Sequence, residues 1–232
     1  MPICTTHVVI CFLYDWQTFI AAFVAFLGAY ITVRTMNRQA RETAKRKRRA
    51  VRALLPSVIN EVHQYAVSNV RWLNATLEKG RFVDTQVVPP GSIPVGTRPV
   101  PDLGMLLRLA DAAEHLDDGA ADFIRGLLSR IQVLYARTDS LQDYFDNYHS
   151  YSSKKVGVVR EITRYTADSL ETLAYAYRVF PYARFETDAA PTPPDFAAIA
   201  PTFRVTGMGE HQYPDVWNEL TKRYPPPTRI AN

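Results

Sequence analysis

Hydrophobic and polar positions divide this chain into blocks of different kinds. Residues 16–33 are eighteen consecutive positions without a charged side chain. A helix rises about 1.5 Å per residue, so the run is just long enough to cross the hydrocarbon core of a bilayer. Over residues 34–78 the pattern stays helical but changes character. Residues 34–50 are polar on all sides. Beyond them Val51, Leu54, Leu55, Val58, Ile59, Val62, Tyr65, Ala66, Val70, Leu73 and Leu77 recur at spacings of three and four, as in a helix with one face in a core. One helix is therefore expected to run from the apolar segment into the rest of the chain without a linker. Pro56 predicts a kink in it, and Gly80 predicts its C-terminal cap.

Pro89, Pro90, Pro94, Pro99 and Pro101, with Gly91 and Gly96, predict an extended loop over residues 84–102. A helix follows Pro101 and Asp102, with Leu103, Leu106, Leu107, Ala110 and Ala113 on one side. After a break at 117–119 comes a longer helix, striped by Phe123, Leu127, Leu128, Ile131, Leu134, Tyr135, Leu141, Tyr144 and Phe145. Residues 150–153 read as a turn. The next helix carries Val159, Ile162, Thr166, Leu170, Leu173, Tyr177 and Phe180, and Pro181 is expected to end it.

No stretch alternates with period two over a useful length, so the fold class is all-α. The expected order is a short extracytoplasmic N-terminus (1–14), a transmembrane helix (15–33), a basic juxtamembrane helix (34–52) and an antiparallel bundle of four helices (53–180). A proline-rich tail (181–232) closes the chain and holds nine of its sixteen prolines. It reads as extended, with short helices at 194–200 and 215–223. Tyr213, Val216, Trp217 and Leu220 are too apolar for a free tail, so they are expected to dock on the bundle or on a partner.

The faces of the apolar helix differ. At about 100° per residue, Thr18, Ala21, Ala22, Ala25, Gly28, Ala29 and Thr32 fall within an arc of roughly 120°, with Phe19, Phe23, Phe26 and Tyr30 nearly opposite. Lipid does not drive helices together hydrophobically, so association relies on close backbone contact across small residues. The small face is the candidate helix–helix interface. Residues 1–15 contain no Lys or Arg, whereas a cleaved signal peptide starts with basic residues. A basic flank after the apolar run resists translocation. The expected topology is an uncleaved inner-membrane anchor with its N-terminus outside and residues 34–232 in the cytoplasm. Tyr14, Trp16 and Tyr30 would sit at the interfaces, and Asp15 would cap the helix.

Charge sharpens this picture. Residues 34–52 hold nine basic side chains against one acid, Glu42, whereas residues 53–232 hold 18 basic residues against 21 acids. The pI of about 9.1 is thus the work of one short segment. Arg34, Arg38, Arg41, Lys45, Arg46, Lys47, Arg48 and Arg49 read as headgroup contacts, worth about 1 kcal/mol per charge near an anionic surface. Nucleic acid is the weaker reading, because no aromatic interleaving or fold signature accompanies the run. Cys4 and Cys11 both precede the apolar segment, which excludes a disulfide framework or a Cys-based zinc site in the remainder.

Catalytic signals are few. Asp111 and His115 stand at i,i+4 with Glu114 between them and Asp117 and Asp118 beyond, a spacing that offers two metal ligands and reads as a solvated acidic helix end. His63 and Glu61 face apart. The many tyrosines read as half-buried packing residues. No phosphate loop, dinucleotide fingerprint or nucleophile elbow is present. No cofactor or metal is expected.

Trp16, the small residues from Ala21 to Ala29, and the Arg- and Lys-rich helix leading into Arg52-Ala53-Leu54-Leu55-Pro56 resemble single-pass bacterial membrane proteins of uncharacterised function. The resemblance covers residues 16–60 and brings no activity or site. The expectation is a non-enzymatic adaptor, scaffold or regulatory protein whose partners are the bilayer and either a second copy or another membrane protein. A small membrane-acting effector or toxin of a phage-defence or prophage system is the alternative. An enzyme with a site in the bundle is a third.

Overall fold

A computed structural model describes residues 4–83, 96–146 and 158–227, with side chains for 16–17, 19–78, 96–146 and 158–227. Six helices and no strand form among these residues: α1 (Cys4–Val83), α2 (Leu103–His115), α3 (Asp118–Asp146), α4 (Val158–Ala183), α5 (Phe196–Val205) and α6 (Pro214–Arg223). The turn expected at 150–153 and most of the expected loop, 84–95, lie outside the described residues. The chain forms two compact units, Met1–Arg49 and Ala50–Asn232.

The first unit is the N-terminal part of α1. Its most apolar eighteen-residue window has a mean hydropathy of 1.7 and none of it is buried, so this helix is long and apolar enough to cross a membrane. The helix begins at Cys4, which places Asp15 within it rather than at its cap. A helix already formed upstream leaves no orphan N–H group at that point for a side chain to satisfy.

In the second unit α1 continues through Pro56 and past Gly80 to Val83. Glycine costs about 1 kcal/mol relative to alanine inside a helix, a penalty too small to stop one. Every member of the expected stripe on this segment is buried except Leu54. Val51 to Tyr65 share one core cluster with α2, the first half of α3 and the end of α4; Val70 to Leu77 share a second with α4, α5 and α6. Each fully buried Leu or Ile in these clusters contributes about 1.5–3 kcal/mol relative to an exposed one.

Asp102 caps α2, its side chain accepting from the Met105 N–H at 2.8 Å. The phase of α2 corrects the expectation. Leu103 and Leu107 are 68% and 62% exposed, and the buried face carries Met105, Leu109, Ala112 and Ala113. Both faces are apolar at helical spacing, so periodicity alone does not choose between them.

α4 is the central helix. Residues 169–176 are buried without interruption, over two turns, which requires neighbours on every side; α3, α5 and α6 all pack against it. Pro181 does not end α4, which continues to Ala183. A proline in the last turn forfeits one hydrogen bond and leaves little helix to disrupt. The end is instead a Schellman motif: the Glu186 N–H donates to Pro181 O (2.9 Å) and the Phe185 N–H to Tyr182 O (3.1 Å), with Phe185 left-handed at φ 60°. Beyond it, α5 is capped by Asp195 and runs further than the expected 194–200.

Candidate functional sites

In the first unit Ala21, Ala22, Ala25, Gly28, Ala29 and Thr32 are all exposed, and the side chain of Thr18 lies outside the described residues. A Cβ placed on Gly28 meets nothing within 4 Å. The Thr32 hydroxyl donates to Gly28 O at 2.8 Å, so it carries no unmet donor into an apolar surrounding. Phe19, Phe23, Phe26 and Tyr30 are exposed on the other side. Arg34, Arg38, Arg41, Lys45, Arg46, Lys47 and Arg49 are exposed and Arg48 is half-buried. Arg38 Nε donates to Glu42 Oε1 at 3.1 Å, one helical turn away.

In the second unit, of the four tail residues, Tyr213, Val216 and Leu220 are buried in the second core cluster, and Trp217 packs on it. The Trp217 ring meets Phe203 and Phe196 edge-on, with centroids 5.3 and 5.7 Å away. The Tyr213 hydroxyl donates to Glu78 Oε1 at 3.1 Å.

Two polar constellations were missed by sequence reasoning. The first centres on Arg52, only 8% exposed. Its guanidinium lies between the rings of Tyr182 and Phe185, 4.1 and 4.2 Å from their centroids. Nε donates to Tyr182 O at 2.7 Å, and the terminal nitrogens donate to Asp188 Oδ1 (2.6 Å) and Thr187 O (2.5 Å). Arg52 is thus unlike the basic residues before it in sequence.

The second is a clamp between α3, α4 and α6. Glu171, whose side chain is 8% exposed, accepts from Arg130 (2.5 Å), Arg223 (3.2 Å) and the Tyr224 hydroxyl. Asp168 accepts from Arg137 and from Arg223 at 2.6 Å, and Glu219 holds the other side of Arg223. Three guanidinium groups meet three carboxylates, so the buried Glu171 carboxylate sits in a charge-balanced network. Burial opposes the charge on Arg223, but the hydrogen bond and attraction of Asp168, joined by Glu219 and Glu171, push its pKa up further. Burial, then the bond to Glu171, pushes the Tyr224 hydroxyl well above its ordinary value.

No family model, no curated protein and no solved structure matches this chain.

The remaining candidates are less assembled. Asp111, Glu114 and His115 offer three ligand atoms within 4.8 Å of one another, two of the residues being exposed. His115 Nε2 lies 3.3 Å from Asp111 Oδ1, the ordinary contact of a helical i,i+4 pair. His63 Nε2 and the Tyr177 hydroxyl are 3.0 Å apart, and burial lowers the His63 pKa.

Proposed function

We propose that this protein is a single-pass, membrane-anchored adaptor, scaffold or regulatory protein that acts through self-association and partner binding. The observation that carries the reading is the wholly uncovered apolar helix with one face of small residues, from Ala21 to Thr32. An apolar helix exposed on all sides is unstable in water and stable in a bilayer. Small residues on one side let a second helix approach closely there. In this reading the N-terminus lies outside the inner membrane, the antiparallel bundle and its proline-rich tail lie in the cytoplasm, and the basic segment fixes the orientation. The ionic clamps of the bundle are used internally, which suits a rigid docking module better than a catalyst. Leu103 and Leu107, exposed on α2, are the apolar side chains a cytoplasmic partner would cover.

The test is site-specific crosslinking in native membranes, with single cysteines at Ala25, Gly28 or Phe23 in a background lacking Cys4 and Cys11. A homodimer band at Ala25 and Gly28 that is lost at Phe23 supports the small-face interface. Equal bands at all three positions defeat the small-face interface, and no band at any of them reduces the helix to an anchor.

A further inference from the structure

Between Arg34 and Lys45 the charges are not scattered. Taking about 100° per residue, Arg34, Arg38, Arg41 and Lys45 fall within an arc of about 60°. Glu42, the one other charge in this stretch, is paired to Arg38. Thr35, Met36, Asn37, Gln39, Ala40, Thr43 and Ala44 cover the remaining circumference without a charge. A flank selected only for positive-inside topology needs the count of cations, not their confinement to one side.

The same side continues upstream as the ridge of Phe19, Phe23 and Tyr30, while the small face lies roughly opposite. Tyr30, Arg34, Arg38, Arg41 and Lys45 line one open groove along the helix. All four cations are exposed. Arg34, Arg41 and Lys45 form no ion pair among the described residues, so their donors are open to an external anion.

We infer that Arg34, Arg38, Arg41 and Lys45 form a one-sided rail that binds the phosphates of anionic phospholipids, while Phe23 and Tyr30 lie along the acyl chains of the same lipids. Charge complementarity and continuity with the apolar span select this occupant. Arginine's planar fork matches a phosphate bidentately, and an aromatic ring with a polar tip suits the boundary just above it. Depth sets a further condition. Arg34 and Arg38 lie within about 8 Å of Val33 along the axis, whereas Arg41 and Lys45 lie about 12 and 18 Å beyond it. Screening fades a surface potential over about 8 Å, so one leaflet engages all four only when the helix leans onto its aromatic side. Two copies joined through the small face would turn their rails outward.

The inference rests on the membrane-anchor reading, and the experiment separates the two. The full chain is reconstituted in nanodiscs of phosphatidylcholine with a minority of phosphatidylglycerol, and the lipids retained after mild detergent release are counted by native mass spectrometry. Wild type should retain phosphatidylglycerol beyond its share of the mixture. In Arg34→Gln/Met36→Arg/Arg41→Gln/Thr43→Arg two cations move to the opposite face, about 3 Å along the axis, at unchanged net charge, and enrichment should fall on the order of fivefold for each cation moved. Excess inorganic phosphate should leave wild-type enrichment unchanged.

Unchanged enrichment in the transfer variant would overturn the rail, because only net charge would matter. Displacement by inorganic phosphate would reassign it to a soluble phosphate ligand. No enrichment, or a co-purifying acidic protein or nucleic acid in place of lipid, would overturn it while leaving the anchor reading intact. A chain absent from the membrane fraction would overturn both.

Discussion

The Nε of Arg52 donates to the backbone carbonyl of Tyr182 at 2.7 Å while its guanidinium stacks on that residue's own ring. The contact joins the start of the bundle segment of α1 to the last turn of α4, 130 residues later. It also places an aromatic contact on Phe185, whose left-handed backbone costs about 1–2 kcal/mol for a residue with a side chain. Arg52→Ala should destabilise the fold by about 2–4 kcal/mol, since it removes packing against two rings and takes one donor each from the Tyr182 and Thr187 carbonyls. Arg52→Lys should recover little of this, because an ammonium cannot fill two stacks and three acceptors at once. Asp188 is 95% exposed, so Asp188→Ala should cost less than about 0.5 kcal/mol. Denaturant melts of the detergent-solubilised full chain measure all three; a large effect at Asp188 with a small one at Arg52 would contradict this account.

Gly28 has open space around it, so a larger side chain there meets no clash within the chain. Gly28→Leu should leave the helix formed and abolish close approach of a second copy, lowering dimer content by about tenfold or more. Helicity by circular dichroism and dimer fraction by crosslinking give the two readouts. Unchanged dimerisation would remove Gly28 from the interface.

The clamp on α6 predicts strong coupling between distant residues. Glu171→Ala leaves Arg130, Arg223 and Tyr224 short of a partner and should cost about 2–4 kcal/mol. A double-mutant cycle with Arg223→Met and Asp168→Asn should give a coupling of at least about 1 kcal/mol, whereas exposed surface pairs give less. Additive effects would mean that the Arg223–Asp168 contact contributes nothing to holding α6.

Stability should fall at both ends of the pH range. Burial pushes the Tyr65 hydroxyl up to about 12, against opposing pulls from Asn69 and Arg98. The folded chain then keeps this proton where the unfolded chain loses it, so stability present below pH 10 declines as pH rises from 10 to 12, by up to about 3 kcal/mol. Tyr65→Phe should make that limb shallower without abolishing it, since the raised Tyr224 hydroxyl acts in the same direction. Burial lowers the His63 pKa, so protonation favours the unfolded chain and stability declines as pH drops through 6.5 and below. His63→Gln should flatten the acid side, and pH-resolved melts of the variants distinguish the two limbs.

The helices were legible because their apolar residues repeat at fixed spacing. Leu55, Ile59, Val62 and Leu73 on α1, and Ile162, Leu170 and Leu173 on α4, are buried as their period demands. α2 was misread in phase because Leu103 and Leu107 offer as good a stripe as Met105 and Leu109. The polar constellations were not legible at all. Arg52 and Asp188 are 136 residues apart, and Arg223 and Asp168 are 55 apart. A charged residue read locally looks solvated, and only tertiary placement reveals its partner. Pro181 and Gly80 misled for another reason: propensity is a weak prior that a packed helix overrides.

The enclosure of α4 also has a consequence in time. Two of its neighbours, α5 and α6, follow it in sequence and are made after it. At bacterial or eukaryotic translation speeds, the stretch from Arg49 to Arg223 takes on the order of ten seconds to synthesise. The apolar N-terminal helix is available to a membrane throughout that interval, whereas the apolar flank of α4 waits uncovered until the tail emerges. A ribosome that stalls before Tyr213 would therefore leave a nascent chain still exposing the apolar side of α4 that α5 and α6 cover, a natural substrate for chaperones.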